Sequence, residues 1–130
     1  MIKFTKERVL LLYEFIVEAT GGAFGIRDEK ILDSALEASY QTFDGNELYP
    51  SKEEKAARLG YGLVANHPFV DGNKRIGIYV MISFLEVNGI NIEFTDEEIE
   101  KLAISIADGA YKYDDVIKFL RSKLWKLWYI

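Results

Sequence analysis

The sequence predicts a compact, all-α single domain, and three observations support this prediction. The chain has 130 residues, a length that suits one domain with one hydrophobic core. Apolar residues recur at helical spacing from one end of the chain to the other. Most of these runs begin at a capping residue and end at glycine or asparagine, as helices commonly do.

Two helices are predicted in the first third of the chain. Thr5 is a suitable N-cap for the first helix, and Asp28 for the second. Gly21-Gly22 ends the first helix, because glycine readily adopts the left-handed conformation of a helix C-terminus. The predicted inward faces carry Val9, Leu12, Tyr13, Ile16 and Val17 in the first helix, and Ile31, Leu32, Ala35 and Leu36 in the second.

Two capping boxes mark further helix starts. In each, a hydroxyl residue is followed three positions later by glutamate, so that the two residues cap each other's backbone N–H groups. The first pair is Ser51 with Glu54, and the second is Thr95 with Glu98. Asp114 is the predicted N-cap of a last helix.

One more helix is predicted between those two capping boxes. It follows a loop at residues 67–73 and ends at Asn88-Gly89. Because its sequence is apolar on nearly every side, we expect it at the centre of the fold. Its predicted inward residues are Ile76, Tyr79, Val80, Ser83, Phe84 and Val87.

Two short segments depart from the helical pattern. Residues 40–50 hold an Asp44-Gly45-Asn46 turn between β-prone arms, which predicts a small hairpin. A plain surface loop between two helices is the alternative explanation of this segment. Residues 90–94 alternate in polarity and predict a short extended link.

Composition excludes several classes of protein. The chain has no cysteine and one histidine, which excludes disulfides, thiolate chemistry and multi-histidine metal centres. A net charge of −5 disfavours binding to nucleic acid. No apolar run approaches the roughly 18 residues of a membrane span, and the charged N-terminal residues do not resemble a signal peptide. We therefore expect a cytoplasmic protein that does not bind membranes.

Reactive side chains are concentrated in one loop. Residues 66–75 read Asn-His-Pro-Phe-Val-Asp-Gly-Asn-Lys-Arg. The start of a helix presents unpaired N–H groups and a positive dipole, and Lys74 and Arg75 add two cations, so this position suits a phosphate. Asp71 is a candidate ligand of Mg²⁺. His67, the only histidine, is a candidate proton acceptor.

Each of these residues also has an ordinary structural explanation. A single histidine at a helix end is usually structural, Asp71 and Asn73 suit a turn or a cap, and Lys74 suits a solvated first turn. Phe69 is expected to anchor the loop in the core under either interpretation. A turn requires one or two such residues rather than five, so the combination favours a phosphate site, although the residues alone leave both explanations open.

The stretch HPFVDGNKR resembles the signature HPFx(D/E)GNGR of the Fic branch of the Fic/Doc superfamily. The Doc branch, the "death on curing" toxins, has lysine in place of the second glycine, as Lys74 does here. The resemblance extends to Gly21-Gly22, to residues 25–28 and to Leu48-Tyr49-Pro50. It implies a single Fic/Doc-type helical bundle over residues 1–130, with its core at about 1–124 and a small flap hairpin.

The resemblance also implies roles for the loop residues. His67 matches the general base that deprotonates a hydroxyl of a target protein. Asp71 matches the acidic residue that binds Mg²⁺ and orients the histidine. Asn73 and the backbone around Gly72 match an anion hole, and Arg75 matches a phosphate clamp.

The reaction that the resemblance implies depends on Lys74. Where the Fic branch has glycine, the nucleotide exposes its α-phosphorus and AMP is transferred; Doc-like members bind ATP in the reverse sense and present the γ-phosphorus. The resemblance therefore implies a protein kinase that uses ATP and Mg²⁺, modifies a serine or threonine of an elongation factor Tu-like target and so inhibits translation. AMP transfer to a protein hydroxyl, or a non-catalytic domain that binds a nucleotide or a partner, are the alternatives.

The resemblance implies two protein partners as well. The hairpin segment matches a flap that clamps the target by strand addition, so Thr42, Phe43, Leu48 and Tyr49 are expected to shape target selection. The sequence lacks the inhibitory motif (S/T)xxxE(G/N) found in many Fic proteins. Inhibition is therefore expected from a separate antitoxin, whose disordered tail folds into an apolar groove. The aromatic tail, residues 125–130, is expected to pack on the protein's own core, with a partner-binding or self-association patch as the alternative.

Overall fold

The computed structural model describes the backbone of residues 1–128 and the side chains of residues 1–125. Within these residues the fold is all-α with one small hairpin, as the sequence predicts. The elements are α1 (Lys6–Thr20), α2 (Glu29–Ala38), β1 (Thr42–Phe43), β2 (Asn46–Glu47), α3 (Lys52–Asn66), α4 (Asn73–Val87), α5 (Asp96–Ala107) and α6 (Tyr113–Trp128).

The predicted caps of the first two helices are confirmed. The Thr5 side chain accepts the N–H of Arg8 at the start of α1, and the Asp28 side chain accepts the N–H of Ile31 at the start of α2. Gly21 ends α1 with a left-handed φ of 76°. These boundaries are set by local sequence, because each cap acts within one turn of its own helix.

Both predicted capping boxes are also present. Ser51 pairs with Glu54 at the start of α3, and Thr95 pairs with Glu98 at the start of α5. Glu98 has a second partner, since Lys123 of α6 bonds its carboxylate. That bond and the backbone N–H of Thr95 lower the pKa of Glu98 to about 2. The cap of α5 therefore also ties α5 to α6.

The predicted start of the last helix is wrong by two residues, because a cap at Asp114 requires a helix that begins at residue 115. The helix α6 begins at Tyr113, so Asp114 lies inside its first turn instead of capping it. The carboxylate that bonds the backbone at the start of α6 belongs to Asp115, and it accepts the N–H of Lys112 at 2.9 Å. Two adjacent aspartates offer the same chemistry at neighbouring positions, and local sequence does not distinguish them.

The hairpin forms as predicted. Thr42 pairs with Glu47 and Phe43 pairs with Asn46, and the turn between them contains left-handed Asp44 and Gly45. Residues 90–94 have no helix or strand. The base of the hairpin is held by the buried Lys55, whose ammonium bonds the Glu47 carboxylate at 2.9 Å and the carbonyl of Tyr49.

The helices α3 and α4 form the centre of the fold. The most extensive helix packing joins these two, while α1 and α5 also pack on α4, which confirms the predicted central position of α4. Ile76, Val80 and Phe84 are buried as predicted, whereas Tyr79 is 40% exposed. The loop that joins α3 to α4 is therefore attached at both ends to the most buried part of the molecule.

Two glycines allow α3 and α4 to approach closely. A Cβ added to Gly77 of α4 would lie 2.9 Å from the carbonyl oxygen of Gly60 in α3 and 2.4 Å from Cγ2 of Val64. A Cβ added to Gly60 would meet the Gly77 carbonyl oxygen at 3.1 Å. Gly77 does not accept a side chain without a shift in α3, and a Cβ at Gly60 would require its neighbours in α4 to move by a few tenths of an ångström.

None of the helices in the described part of the chain has the length and hydropathy needed to span a bilayer. At the C-terminus, Leu124 is buried and Trp125 is 59% exposed. The prediction that residues 125–130 pack on the core mostly concerns side chains outside the described residues.

The close contact of α3 and α4 predicts opposite effects for two glycine substitutions. Gly77→Ala is expected to lower the free energy of unfolding by about 1–3 kcal/mol, because the new methyl group overpacks the helix contact. Gly62→Ala is the matched control within α3, since its Cβ would lie 3.5 Å from Cβ of Ala35. The control is expected to gain up to about 1 kcal/mol from the helix propensity of alanine. Urea unfolding followed by circular dichroism measures both; equal values for the two variants would contradict the packing argument.

Candidate active site

The loop at residues 67–72 joins α3 to α4 through two left-handed residues. His67 ends α3 with φ 49° and ψ 56°, and Gly72 precedes α4 with φ 81°. The left-handed conformation is unfavourable for a residue with a Cβ, so the surrounding contacts must hold His67 in place. The side chain of His67 is exposed rather than turned into the core.

Phe69 anchors the loop in the core, as the sequence predicts. Its ring is 1% exposed and stacks on the ring of Tyr13 in α1, with 3.9 Å between centroids and an angle of 22° between planes. The ring of Phe24 also stacks on the ring of Tyr13, with 5.3 Å between centroids. The loop is therefore attached to α1 by an aromatic contact.

The hydroxyl of Tyr13 bonds the loop backbone directly. It donates to the carbonyl of Asp71 at 2.9 Å and accepts the N–H of Gly25 at 3.3 Å. The sequence places Tyr13 on the core face of α1 but does not identify the groups that its hydroxyl bonds. A tyrosine among apolar residues at helical spacing is the one available signal, because a buried hydroxyl requires a partner.

Residues 25–28 lie along the loop and bond its backbone. The N–H of Val70 donates to the carbonyl of Gly25, and the N–H groups of Arg27 and Asp28 both donate to the carbonyl of Pro68. The Arg27 side chain also bonds the loop, through the carbonyls of Asn66 and His67. The resemblance points to this segment, but nothing in the sequence indicates what it contacts.

The side chain of Asn73 is used inside the loop. Its Oδ1 accepts the N–H of Phe69 at 2.9 Å, and its Nδ2 donates to the carbonyl of the same residue at 3.0 Å. The resemblance implies a place for Asn73 in an anion hole. In this geometry the amide closes the loop, and the backbone N–H of Asn73 and the second N–H of its Nδ2 are not used in doing so.

The N-terminus of α4 has the properties of an anion site. It has no side-chain cap, and its first helical bond runs from the N–H of Ile76 to the carbonyl of Gly72. The N–H groups of Asn73, Lys74 and Arg75 precede that bond and point out of the helix end. The side chains of Lys74 and Arg75 are exposed beside them.

Asp71 lies next to this helix end with both carboxylate oxygens oriented by backbone groups. Oδ1 accepts the N–H of Gly72 at 2.8 Å, and Oδ2 accepts the N–H of Ala23 at 3.3 Å. A Cβ at Gly22 would lie 3.0 Å from Oδ2, so a glycine gives the carboxylate its space. Among the described residues no three acidic or histidine groups cluster around a metal position. One carboxylate suits Mg²⁺ only when phosphate oxygens complete the coordination.

One cavity of about 1030 Å³ brings the predicted loop residues together. Its polar end is lined by His67, Asp71, Gly72, Asn73, Lys74 and Arg75. Its other walls come from α1 and α5, with Tyr79 of α4 between them, and are mainly apolar. The sequence gives no signal for the walls from α1 and α5, because the helices that form them are far apart in the chain.

The predicted flap residues do not line this cavity. Thr42, Phe43 and Leu48 are exposed on and beside the hairpin. Tyr49 is half-buried instead, and its ring meets the edge of Tyr113 at 5.2 Å. Tyr49 therefore packs at the base of the hairpin and is poorly placed to contact a partner.

Comparisons with known proteins agree with these observations. The model of the Fic/DOC family matches residues 3–85. A protein of Mycolicibacterium smegmatis named Toxin Doc is 36% identical over 100 residues, which cover 75% of this chain and 77% of that protein. The region that the family model matches contains the loop, all of α3, and α4 as far as residue 85.

The position of Asn73 predicts a loss of stability in the absence of any ligand. Asn73→Ala removes two hydrogen bonds to Phe69 and is expected to lower the free energy of unfolding by about 1–3 kcal/mol. Asn91→Ala, at an exposed position in the extended link, is the control and is expected to have little effect. Urea unfolding of ligand-free protein measures the difference. Unchanged stability, together with lost nucleotide binding, would instead assign the amide to the anion.

Proposed function

This chain belongs to the Fic/DOC family, and we propose that it is a Doc-like toxin that transfers the γ-phosphate of ATP to a protein hydroxyl. Members of the family are typically transferases that act on proteins. The observation that carries the proposal is the polar end of the cavity, where an exposed imidazole and an uncapped helix N-terminus lie on one wall. These two features supply what the transfer requires, a proton acceptor and a site for phosphate.

His67 is proposed as the general base. Its imidazole takes the proton of a serine or threonine hydroxyl as the hydroxyl oxygen forms its bond to the γ-phosphorus. The bond from that phosphorus to the bridging oxygen of ADP breaks in the same step, and ADP leaves. An exposed histidine on a cavity wall suits this role, because a base must reach a hydroxyl that belongs to another protein.

The start of α4 is proposed to hold the phosphates. Transfer of a phosphoryl group depends mainly on positioning and on stabilising negative charge. The free N–H groups are oriented by the helix before the nucleotide binds, and the exposed side chains of Lys74 and Arg75 add positive charge beside them. The start of α4 is therefore a locally positive region in a chain whose net charge is −5.

Asp71 is proposed to hold Mg²⁺ together with the phosphates. The chemistry that Mg²⁺ supplies there is neutralisation of phosphate charge. The bonds from Gly72 and Ala23 fix the direction of the carboxylate without using all of its lone pairs.

Lys74 is the reason to favour γ-phosphate transfer over AMP transfer. Its side chain stands at the second position of α4, where glycine in the Fic branch leaves room for phosphates. A lysine there occupies that room and adds a charge, so the nucleotide is proposed to bind in the reverse sense. AMP transfer is then an outcome that the experiment below distinguishes.

The hairpin is proposed to select the target, for which elongation factor Tu is the candidate. In the described part of the chain the sheet has two strands, so each strand keeps one unpaired edge. An extended segment of a target protein can add to such an edge through its main chain. The exposed Thr42, Phe43 and Leu48 would then contact its side chains, with Lys55 holding the hairpin in place.

An antitoxin is proposed to bind the apolar part of the cavity. Phe15 of α1 and Ile104 of α5 are 69% and 46% exposed and line its walls. A disordered tail that folds into this part of the cavity would bury these two side chains. Because this part of the cavity is continuous with the loop residues, the same tail would also restrict access to the active site.

Labelled ATP tests the proposed reaction. The protein is incubated with Mg²⁺, a bacterial lysate or purified elongation factor Tu, and ATP labelled at either the γ- or the α-phosphate. Label is expected from the γ position alone. His67→Ala is expected to lower labelling at least about 100-fold, the usual effect of losing a general base. Asn66→Ala, the exposed neighbour, is expected to retain it.

Each other pattern contradicts a different part of the proposal. Label from the α position alone identifies AMP transfer. No label above that of His67→Ala from either position identifies a domain that binds without reacting. Labelling that persists in His67→Ala removes the assignment of the base.

Lys74→Gly tests the orientation of the nucleotide. If the lysine sets that orientation, the variant transfers γ-label at least about 10-fold more slowly, the effect expected from losing a charged contact to phosphate. Restored space at this position is also expected to permit some transfer of α-label. Comparing the two labels in the same preparation measures the switch. A variant with unaltered kinase activity would show that Lys74 does not determine the reaction.

A further inference from the structure

We propose that Arg27 is a positioning residue that fixes His67 by holding the end of α3. Its guanidinium Nε donates to the carbonyl of His67 at 2.6 Å, and its Nη2 donates to the carbonyl of Asn66 at 3.1 Å. Arginine offers these two donors in one rigid plane, which suits two neighbouring carbonyls. The inference rests on the proposed function, in which His67 is the base.

The end of α3 needs such a contact for two reasons. The last carbonyls of a helix have no partner within the helix, and the negative end of the dipole favours a cation. The last turn of α3 contains no basic residue. Arg27 supplies the missing charge from a position 40 residues away in the sequence.

The conformation of His67 gives the second reason. Its left-handed backbone, with φ 49°, is the one usually taken by glycine at a helix C-terminus. Holding the His67 carbonyl limits rotation of this residue about its backbone, and so limits where the imidazole points. The Arg27 bond therefore acts on the dihedral angles that orient the ring.

The backbone of Arg27 is held in place on both sides. Its backbone N–H donates to the carbonyl of Pro68 at 2.7 Å. On one side Ile26 forms a β-bridge with Phe69, and on the other Asp28 caps α2. The guanidinium thus connects His67 to the start of another helix. A contact from a mobile segment would not restrain the histidine in this way.

A direct role in binding phosphate fits the geometry less well. The cavity is lined by Arg75 but not by Arg27. Two nitrogens of the Arg27 guanidinium are already directed at backbone carbonyls. The structure therefore assigns Arg27 to the orientation of the base rather than to the nucleotide.

The test uses Arg27→Gln and Arg27→Lys in the full chain, with Arg121→Gln as the matched control. Arg121 is an exposed guanidinium that pairs with Glu53 and Glu54 at the opposite end of α3, about 20 Å away along the helix. Both Arg27 variants are expected to lower kcat roughly 10- to 100-fold, because small errors in the placement of a base are costly. KM for ATP is expected to stay unchanged in the Arg27 variants. In Arg121→Gln both kcat and KM are expected to stay unchanged.

A second readout does not depend on activity. The chain has one histidine, so tag-free protein gives a single set of imidazole signals in a ¹H–¹³C NMR spectrum. These signals are expected to shift or broaden in both Arg27 variants and to stay in place in Arg121→Gln. Arg27→Lys keeps the charge but not the planar pair of donors, and it remains informative if Arg27→Gln unfolds.

The outcomes separate this inference from the proposed function. Unchanged imidazole signals with unchanged kcat would overturn the role of Arg27 while the kinase stands. A raised KM for ATP at constant kcat would overturn it by making Arg27 a nucleotide ligand. If His67→Ala retains full activity, the proposed base fails, whereas displaced signals in the Arg27 variants would still show that Arg27 holds His67.

Discussion

The stack between Tyr13 and Phe69 is the contact on which the geometry of the site depends. The loop has two left-handed residues, of which His67 carries a side chain at a cost of about 1–2 kcal/mol. A fully buried phenylalanine contributes about 3–5 kcal/mol, judged by the usual effect of its removal, so the anchor outweighs the strain. Tyr13 adds a hydrogen bond to the loop backbone at Asp71. The core of the protein thereby sets the position of a loop whose reactive side chains are exposed.

Residues of the loop divide into two groups by direction. Phe69 and the amide of Asn73 are turned inward and close the loop, whereas His67, Asp71 and the two cations are exposed. This division bears on the two explanations that the sequence leaves open for these residues. The side chain of Asn73 bonds the loop through both Oδ1 and Nδ2, as the structural explanation requires, and the exposed residues remain available for chemistry. One motif serves both purposes because its structural residues hold its reactive residues in place.

Local features of the fold could be predicted from the sequence, and contacts between distant segments could not. Thr5, Ser51 and Thr95 each cap a helix by bonding groups within one turn, so these caps can be recognised from a few neighbouring residues. The start of α6 shows the limit, because Asp114 and Asp115 carry the same signal. The motif located the reactive loop, but the residues that hold it, Tyr13 and Arg27, lie far from it in sequence. Their contacts exist only once α1 and the segment before α2 pack against the loop.

The charge distribution is compatible with the proposed phosphate site, although the protein as a whole is acidic. The net charge of −5 repels anions at long range, but salt screens charges beyond about 8 Å under physiological conditions. Attraction at the start of α4 is therefore determined by its immediate surroundings, Lys74, Arg75 and the free N–H groups, with Asp71 as the nearby carboxylate. That carboxylate opposes a bare phosphate and favours one accompanied by a divalent cation. This balance of charge is consistent with the proposed function, in which the substrate is ATP accompanied by Mg²⁺.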